Sequence, residues 1–198
     1  MGKREDRRVE LPLRLSNAAV QLFTAHGFEA VRAEDIATAA GVSVRTFHRY
    51  FPTKQDAVLP ALDALWDEFL ASLTLASTSV PIEDAIAEIF LRTRSSALTG
   101  RQLALFKAMA DSPHLEAVRL RMYARFEARM RATLTVIFDS APDDPEVALF
   151  AATLTAVARL VTDSTLDGRE SPEKVARDLF GAALRLAPRR SGVAQRSP

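Results

Sequence analysis

Apolar side chains in this chain recur every three or four residues, the spacing that lines one face of an α-helix. No stretch shows the alternation and β-branched clustering that strands need. Leu15, Ala18, Ala19, Leu22 and Phe23 predict a first helix over 11–26, stopped by Gly27. Ile36, Ala37 and Ala40 line a short second helix that Gly41 ends, and Ser43 is placed to cap a third over roughly 44–50. Pro52 breaks the third. Thr53, with Asp56 three residues on, opens a fourth in a capping-box-like pattern. That helix runs through Leu59, Leu62, Leu65, Trp66, Phe69 and Leu73, with a start or kink expected at Pro60. Later starts fall near Pro81, after Gly100, at Ser112-Pro113, near Pro145 and at Ser171-Pro172. The pattern predicts an all-α protein of about nine helices: a small bundle to about residue 52, then a larger one.

The 198 residues fit one large domain or two small ones, and 48% hydrophobic residues can fill a core. Cysteine is absent, which excludes disulfides and thiolate metal sites and suits a reducing compartment. The longest uncharged stretch near the middle, residues 69–82, is too short to span a bilayer, and "MGKREDRRVE" lacks the apolar core of a secretory signal. A cytoplasmic protein without membrane association is expected. The net charge of +1 is unevenly spread. Residues 1–54 carry nine Lys/Arg against six Asp/Glu, 55–184 carry 13 against 19, and 185–198 carry four arginines and no acid. A basic front on an acidic body points to an anionic partner at the front. Residues 1–10 are expected as a flexible basic arm and 188–198 as a disordered tail.

The densest signal is "GVSVRTFHRYFPTKQDAV", residues 41–58. On a helical wheel Phe47 and Phe51 fall together, while Arg45, Thr46 and Arg49 fall opposite them. Val44 and His48 lie on one flank and Tyr50 on the other. One edge is therefore core, and the other offers guanidinium and hydroxyl groups. Two short helices joined through Gly41-Val42-Ser43 have the proportions of a helix-turn-helix. Ala37 is small where the helices cross, Val42 plugs the corner and Ser43 meets free amides. The third helix fits a DNA major groove, where arginine can pair with guanine and threonine can touch a thymine methyl or a phosphate. Lys54 and the amides behind Thr53 are placed for backbone phosphate.

Residues 11 to about 58, in "AVQLFTAHGFEAV" and "EDIATAAGVSVRTFHRYFPTKQDAV", resemble the DNA-binding domain of the TetR family of transcriptional regulators. The resemblance implies an all-helical homodimer, with a DNA-reading head over 11–54 and a ligand-binding, dimerising body over 55–187. It assigns base reading to Val44, Arg45 and Thr46, phosphate contact to His48, Arg49 and Tyr50, and a phosphate lysine to Lys54. Three positions depart from the family pattern. Arg32 stands where threonine often opens the second helix, trading a cap for a phosphate-seeking cation. His48 replaces a usual tyrosine, and Gln55 a usual glutamate.

In the body, Trp66, Phe69, Phe90, Phe106, Met109, Met122 and Phe126 either fill a core or, as the resemblance implies, partly line an effector pocket. Arg159, inside an apolar run, either pairs with an anionic ligand or reaches the surface. Arginines 119, 121, 125, 129 and 131 are expected on solvated sides of one long helix. The stretch "LALFKAMADSPHLEAVRLRMYARFEARMRATL" is similar to regulators associated with mycofactocin clusters, implying a fatty acyl or acyl-CoA type of effector. Two stripes, Phe150, Leu154, Val157 and Val161, then Val175, Leu179, Ala183 and Leu186, suit a four-helix dimer seam or the core of one chain.

The expected function is a ligand-responsive repressor released from a palindromic operator. An activator of the same fold and a helical-bundle enzyme or carrier are the alternatives. The enzyme reading has little support: H-E-x-x-H, G-x-S-x-G, glycine-rich phosphate loops and di-iron E-x-x-H pairs are all missing. No cofactor and no metal is expected.

Overall fold

The computed structural model describes residues 2–80, 82–97, 101–168 and 170–188. Among them are nine α-helices and no strand: α1 (Gly2–His26), α2 (Ala33–Ala39), α3 (Val44–Tyr50), α4 (Leu59–Ala76), α5 (Ile82–Ala97), α6 (Arg101–Asp111), α7 (Pro113–Phe138), α8 (Pro145–Asp167) and α9 (Pro172–Ala183). Single 3-10 turns precede α4 and follow α9. Residues 2–10, expected as a flexible arm, are the first turns of α1. Their run of Lys, Arg and Glu favours helix, and Pro12 removes one amide from the ladder without ending it. The expected disordered tail, beyond Pro188, lies outside the described residues.

Helix ends follow local chemistry. Gly27 (φ +81) turns the chain after α1, and its amide bonds Phe23 O at 3.0 Å. At the end of α2, Gly41 (φ +67) completes a Schellman turn: Val42 N bonds Ala37 O at 2.9 Å and Gly41 N bonds Thr38 O at 3.0 Å. The Asp144 carboxylate caps α8 through Glu146 N, and Ser171 caps α9 through Lys174 N. Ser112 does not cap α7 with its hydroxyl, which is buried without a hydrogen-bond partner among the described residues. Its carbonyl instead accepts from Leu115 N. Pro60 falls in the first turn of α4, where a missing amide costs nothing. The next amide, Ala61 N, is bonded by Ser16 Oγ of α1 at 2.9 Å, which explains a serine buried in the core.

The chain forms two compact units. One comprises the described residues among 1–65 and 96–122, the other those among 66–95 and 123–188. In the first unit, α2 packs on α1 and α3, and α6 packs on α1. Its interior holds Leu15, Ala19, Phe23, Phe28, Ile36, Ala37, Phe47 and Phe51. In the second unit, rings follow one another from Trp66 to Phe126 (4.0 Å between centroids), Phe69, Phe90 and Phe180, joining α4, α7, α5 and α9. Phe138 and Phe150 join α7 to α8, and α8 packs along α9.

Among the described residues, α8 is the one helix long and apolar enough to cross a membrane by length and composition. Half of its most apolar window is buried, so this helix is apolar on both faces. The stripe Phe150, Leu154, Val157 and Val161, expected at a dimer seam, is fully enclosed within the single chain. That expectation is corrected: these residues are core, because α8 turns this face to its own unit. Its outer face carries Leu149 (60% exposed), Ala156 and Leu160 (46%) instead. On α9, Ala183 is also core, Val175 and Leu179 are half-buried, and Leu186, in the turn just beyond, is exposed.

A Cβ added at Gly41 meets nothing within 4 Å, so Gly41→Ala is strained through its backbone alone. The expected loss is about 1–2 kcal/mol of stability, measured by urea unfolding. Unchanged stability would mean that the turn does not need a left-handed residue.

Candidate nucleic-acid interface

Seven residues make α3, two turns, too few to be stable alone. Ser43 holds its start: Ser43 Oγ accepts from Thr46 N at 3.2 Å and lies 3.0 Å from Thr46 Oγ1. Phe47 is fully buried and Phe51 nearly so, with ring centroids 5.6 Å apart. With that edge inside, the geometry of a helix leaves Arg45, His48 and Arg49 exposed. Val44, Thr46 and Tyr50 are half-buried at the margins. Arg49 Cζ lies 5.1 Å from the centre of the Tyr50 ring, which steadies the exposed guanidinium. The His48 ring meets Phe47 edge-on at 5.3 Å. The six side chains of α3 expected to face DNA thus lie on the open side or flanks of one short helix. The arrangement is a cationic, hydroxyl-bearing ridge mounted on an aromatic anchor, without the nucleophile–base pairing that catalysis would need.

Arg32 opens α2 with an exposed side chain that makes no cap bond. Its backbone amide is met by Asp35 Oδ2 at 2.8 Å, so half of a capping box survives the arginine. Lys54 departs from expectation. Its Nζ donates to Phe28 O and Val31 O, both at 2.8 Å, and sits 4.1 Å from the centre of the Phe28 ring. Two of its three donors are therefore used within the chain, whereas a free phosphate-seeking ammonium was expected.

Sequence reasoning missed the anchor behind α3. Asp56 is buried and accepts from Thr53 N (3.2 Å) and Thr53 Oγ1 (2.7 Å) through one oxygen, and from Arg121 of α7 (2.5 Å) through the other. The Thr53–Asp56 half was legible as a capping pattern. The Arg121 half lies 65 residues away and carries no local signal. Arg121, Arg125 and Arg131 are exposed, as expected of a solvated side, but several α7 arginines also pair within the chain. Arg119 forks onto Glu116 (2.8 and 2.9 Å), Arg121 pairs with Asp56, and Arg129 pairs with Asp67.

Seven of the residues expected at an effector pocket are buried. Trp66, Phe69, Phe90 and Phe126 are buried against one another in the second unit, while Phe106, Met109 and Met122 are buried in the first. Arg159 is exposed on α8, so the reading that placed it in a pocket is corrected in favour of the surface. Its long stem carries the charge outward from an otherwise apolar run. Among the described residues, no group of three or more His, Asp or Glu could hold a metal ion.

Comparison with known proteins agrees with this geometry. Residues 15–59 match the family model described as bacterial regulatory proteins, tetR family. The chain is 30% identical over 120 residues to MftR of Mycobacterium tuberculosis, described as a mycofactocin biosynthesis transcriptional regulator, covering 60% of this chain and 61% of that one. It is 33% identical over 124 residues to the HTH-type transcriptional regulator TcmR of Streptomyces glaucescens, covering 59% and 55%. The alignments thus span less than two thirds of either relative. A TetR transcriptional regulator from Rhodococcus sp. RHA1 shares the fold, with a TM-score of 0.61 at 18% identity over 97% of this chain and 100% of that one. The family and both relatives are transcriptional regulators, not enzymes. Residues 15–59 are thus a helix-turn-helix segment similar to the DNA-binding domain of the tetR family of bacterial regulatory proteins.

Proposed function

We propose that this chain is a cytoplasmic, ligand-responsive repressor that binds a palindromic operator as a homodimer and leaves it when a small hydrophobic effector binds the body. The observation that carries the reading is the ridge on α3: Arg45 and Arg49 point to solvent because Phe47 and Phe51 are held inside. Arg45, Val44 and Thr46 lie at the N-terminal end of α3, the end that reads base edges in helix-turn-helix docking. His48, Arg49, Tyr50 and Arg32 flank it and serve the backbone. Two such helices about one DNA turn apart match the two-fold symmetry of a palindrome.

The outer face of α8 supports dimerisation. Leu149, Ala156 and Leu160 form a stripe on solvent, and α9 adds the half-buried Val175 and Leu179. Small and aliphatic residues on an open face suit a second copy of the same face. The aromatic interior of the second unit supports an apolar effector, with a fatty acyl compound the class to try first. Whatever its identity, the effector must bind the released form more tightly than the DNA-bound form.

Duplexes enriched from a random-sequence pool by the wild-type chain give the test. Arg45→Ala is expected to lose about 1–3 kcal/mol of discrimination at one base position. Arg49→Ala should weaken all sequences alike and reduce the slope of log K against log salt by about 0.9. Arg45→Ala binding as tightly and selectively as wild type would end the base-reading assignment. For the dimer, Leu160→Glu is expected to give monomers in sedimentation while keeping its helix content. A dimer that persists would place the seam elsewhere.

A further inference from the structure

The residue that follows the broken end of α3 has a use other than the one its charge suggests. Phe28 and Val31 lie in the connection between α1 and α2, after the turn at Gly27, where carbonyls have no helical amide to accept from. The Lys54 ammonium supplies the donors, bonding both carbonyls at 2.8 Å beneath the Phe28 ring. That ring is itself fixed, edge-on to Phe23 at 5.1 Å. Residue 54 is held from both sides along the chain. Phe51 is buried before it, and Asp56 after it is tied to Thr53 and Arg121. Val31 in turn precedes Arg32, whose amide is bound by Asp35.

We propose that Lys54 is a positioning residue: its ammonium locks the α1–α2 connection to the turn after α3, and so fixes where Arg32 and the start of α2 stand relative to the DNA-facing ridge. The proposal rests on the DNA-binding reading for its effect, and on the geometry above for its cause.

The two roles for Lys54 separate cleanly. A phosphate contact releases counterions, so its loss lowers the salt slope by about 0.9, and arginine replaces it. A positioning contact changes affinity without changing the slope, and the wide, planar fork of arginine does not fit where two carbonyls converge on one compact ammonium. The experiment uses the full chain with Lys54→Met, Lys54→Gln, Lys54→Arg, Arg32→Ala and the Lys54→Met/Arg32→Ala double variant. Each is measured over a salt series on the enriched duplex, and by amide hydrogen exchange without DNA. Lys54→Met is expected to bind about tenfold more weakly, the scale of a lost charged hydrogen bond, with the wild-type slope. Lys54→Arg should not rescue it, the Arg32→Ala effect should overlap rather than add, and exchange across 28–36 should rise.

A reduced slope in Lys54→Met that Lys54→Arg restores would overturn the proposal, as would unchanged exchange across 28–36. Should Lys54→Met fail to fold, Lys54→Gln, which keeps two N–H donors and no charge, carries the same comparisons. If the wild type enriches no duplex, the DNA-binding reading falls, while the exchange measurement still decides whether Lys54 anchors the connection.

Discussion

A two-turn helix in water has no reason to persist, and α3 persists because Phe47 and Phe51 are buried in the interior of the first unit. Everything the head offers to a partner follows from that burial. Once the phenylalanine edge is inside, the 3.6-residue period dictates which side chains stand outside, and at those positions the chain carries Arg45, His48 and Arg49. The Schellman turn at Gly41 and the Ser43 cap set the angle at which the anchored helix leaves α2. The cationic ridge is thus a consequence of hydrophobic packing rather than of charge.

The turn after α3 is held as firmly as the helix itself. Asp56 is a buried carboxylate, costly unless its oxygens are met, and Thr53 and Arg121 meet them. Lys54 reaches the other way, to the α1–α2 connection. Residues 53–56 therefore bind two separate stretches of the first unit, and the C-terminal end of α3 has little freedom relative to either. Such over-determination suits a recognition element, since an ordered surface loses less entropy when it docks.

In the second unit, rings from four helices stack into one interior, and α8 contributes to it with only one of its two apolar faces. A helix with apolar stripes on two faces does not show from sequence which of them is enclosed by its own chain. The stripe with the larger side chains, Phe150, Leu154, Val157 and Val161, went inward. The stripe of Leu149, Ala156 and Leu160 was left on the surface. Packing volume explains the choice: the larger residues fill space beside Phe138, while alanine and leucine leave a flatter outer face.

The sequence by itself determined the helices and most of their ends, because caps, glycine turns and apolar period are local signals read within a few residues. It also determined the two edges of α3, since a short helix with aromatic residues four apart can bury only one side. Tertiary structure alone decided what met at long range. Arg121 found Asp56 across 65 residues, Lys54 found carbonyls 23 and 26 residues back, and Arg159 came to the surface. Charged side chains of this length can reach several partners from the same position. Only the packed backbone fixes which carbonyl or carboxylate lies within hydrogen-bonding distance.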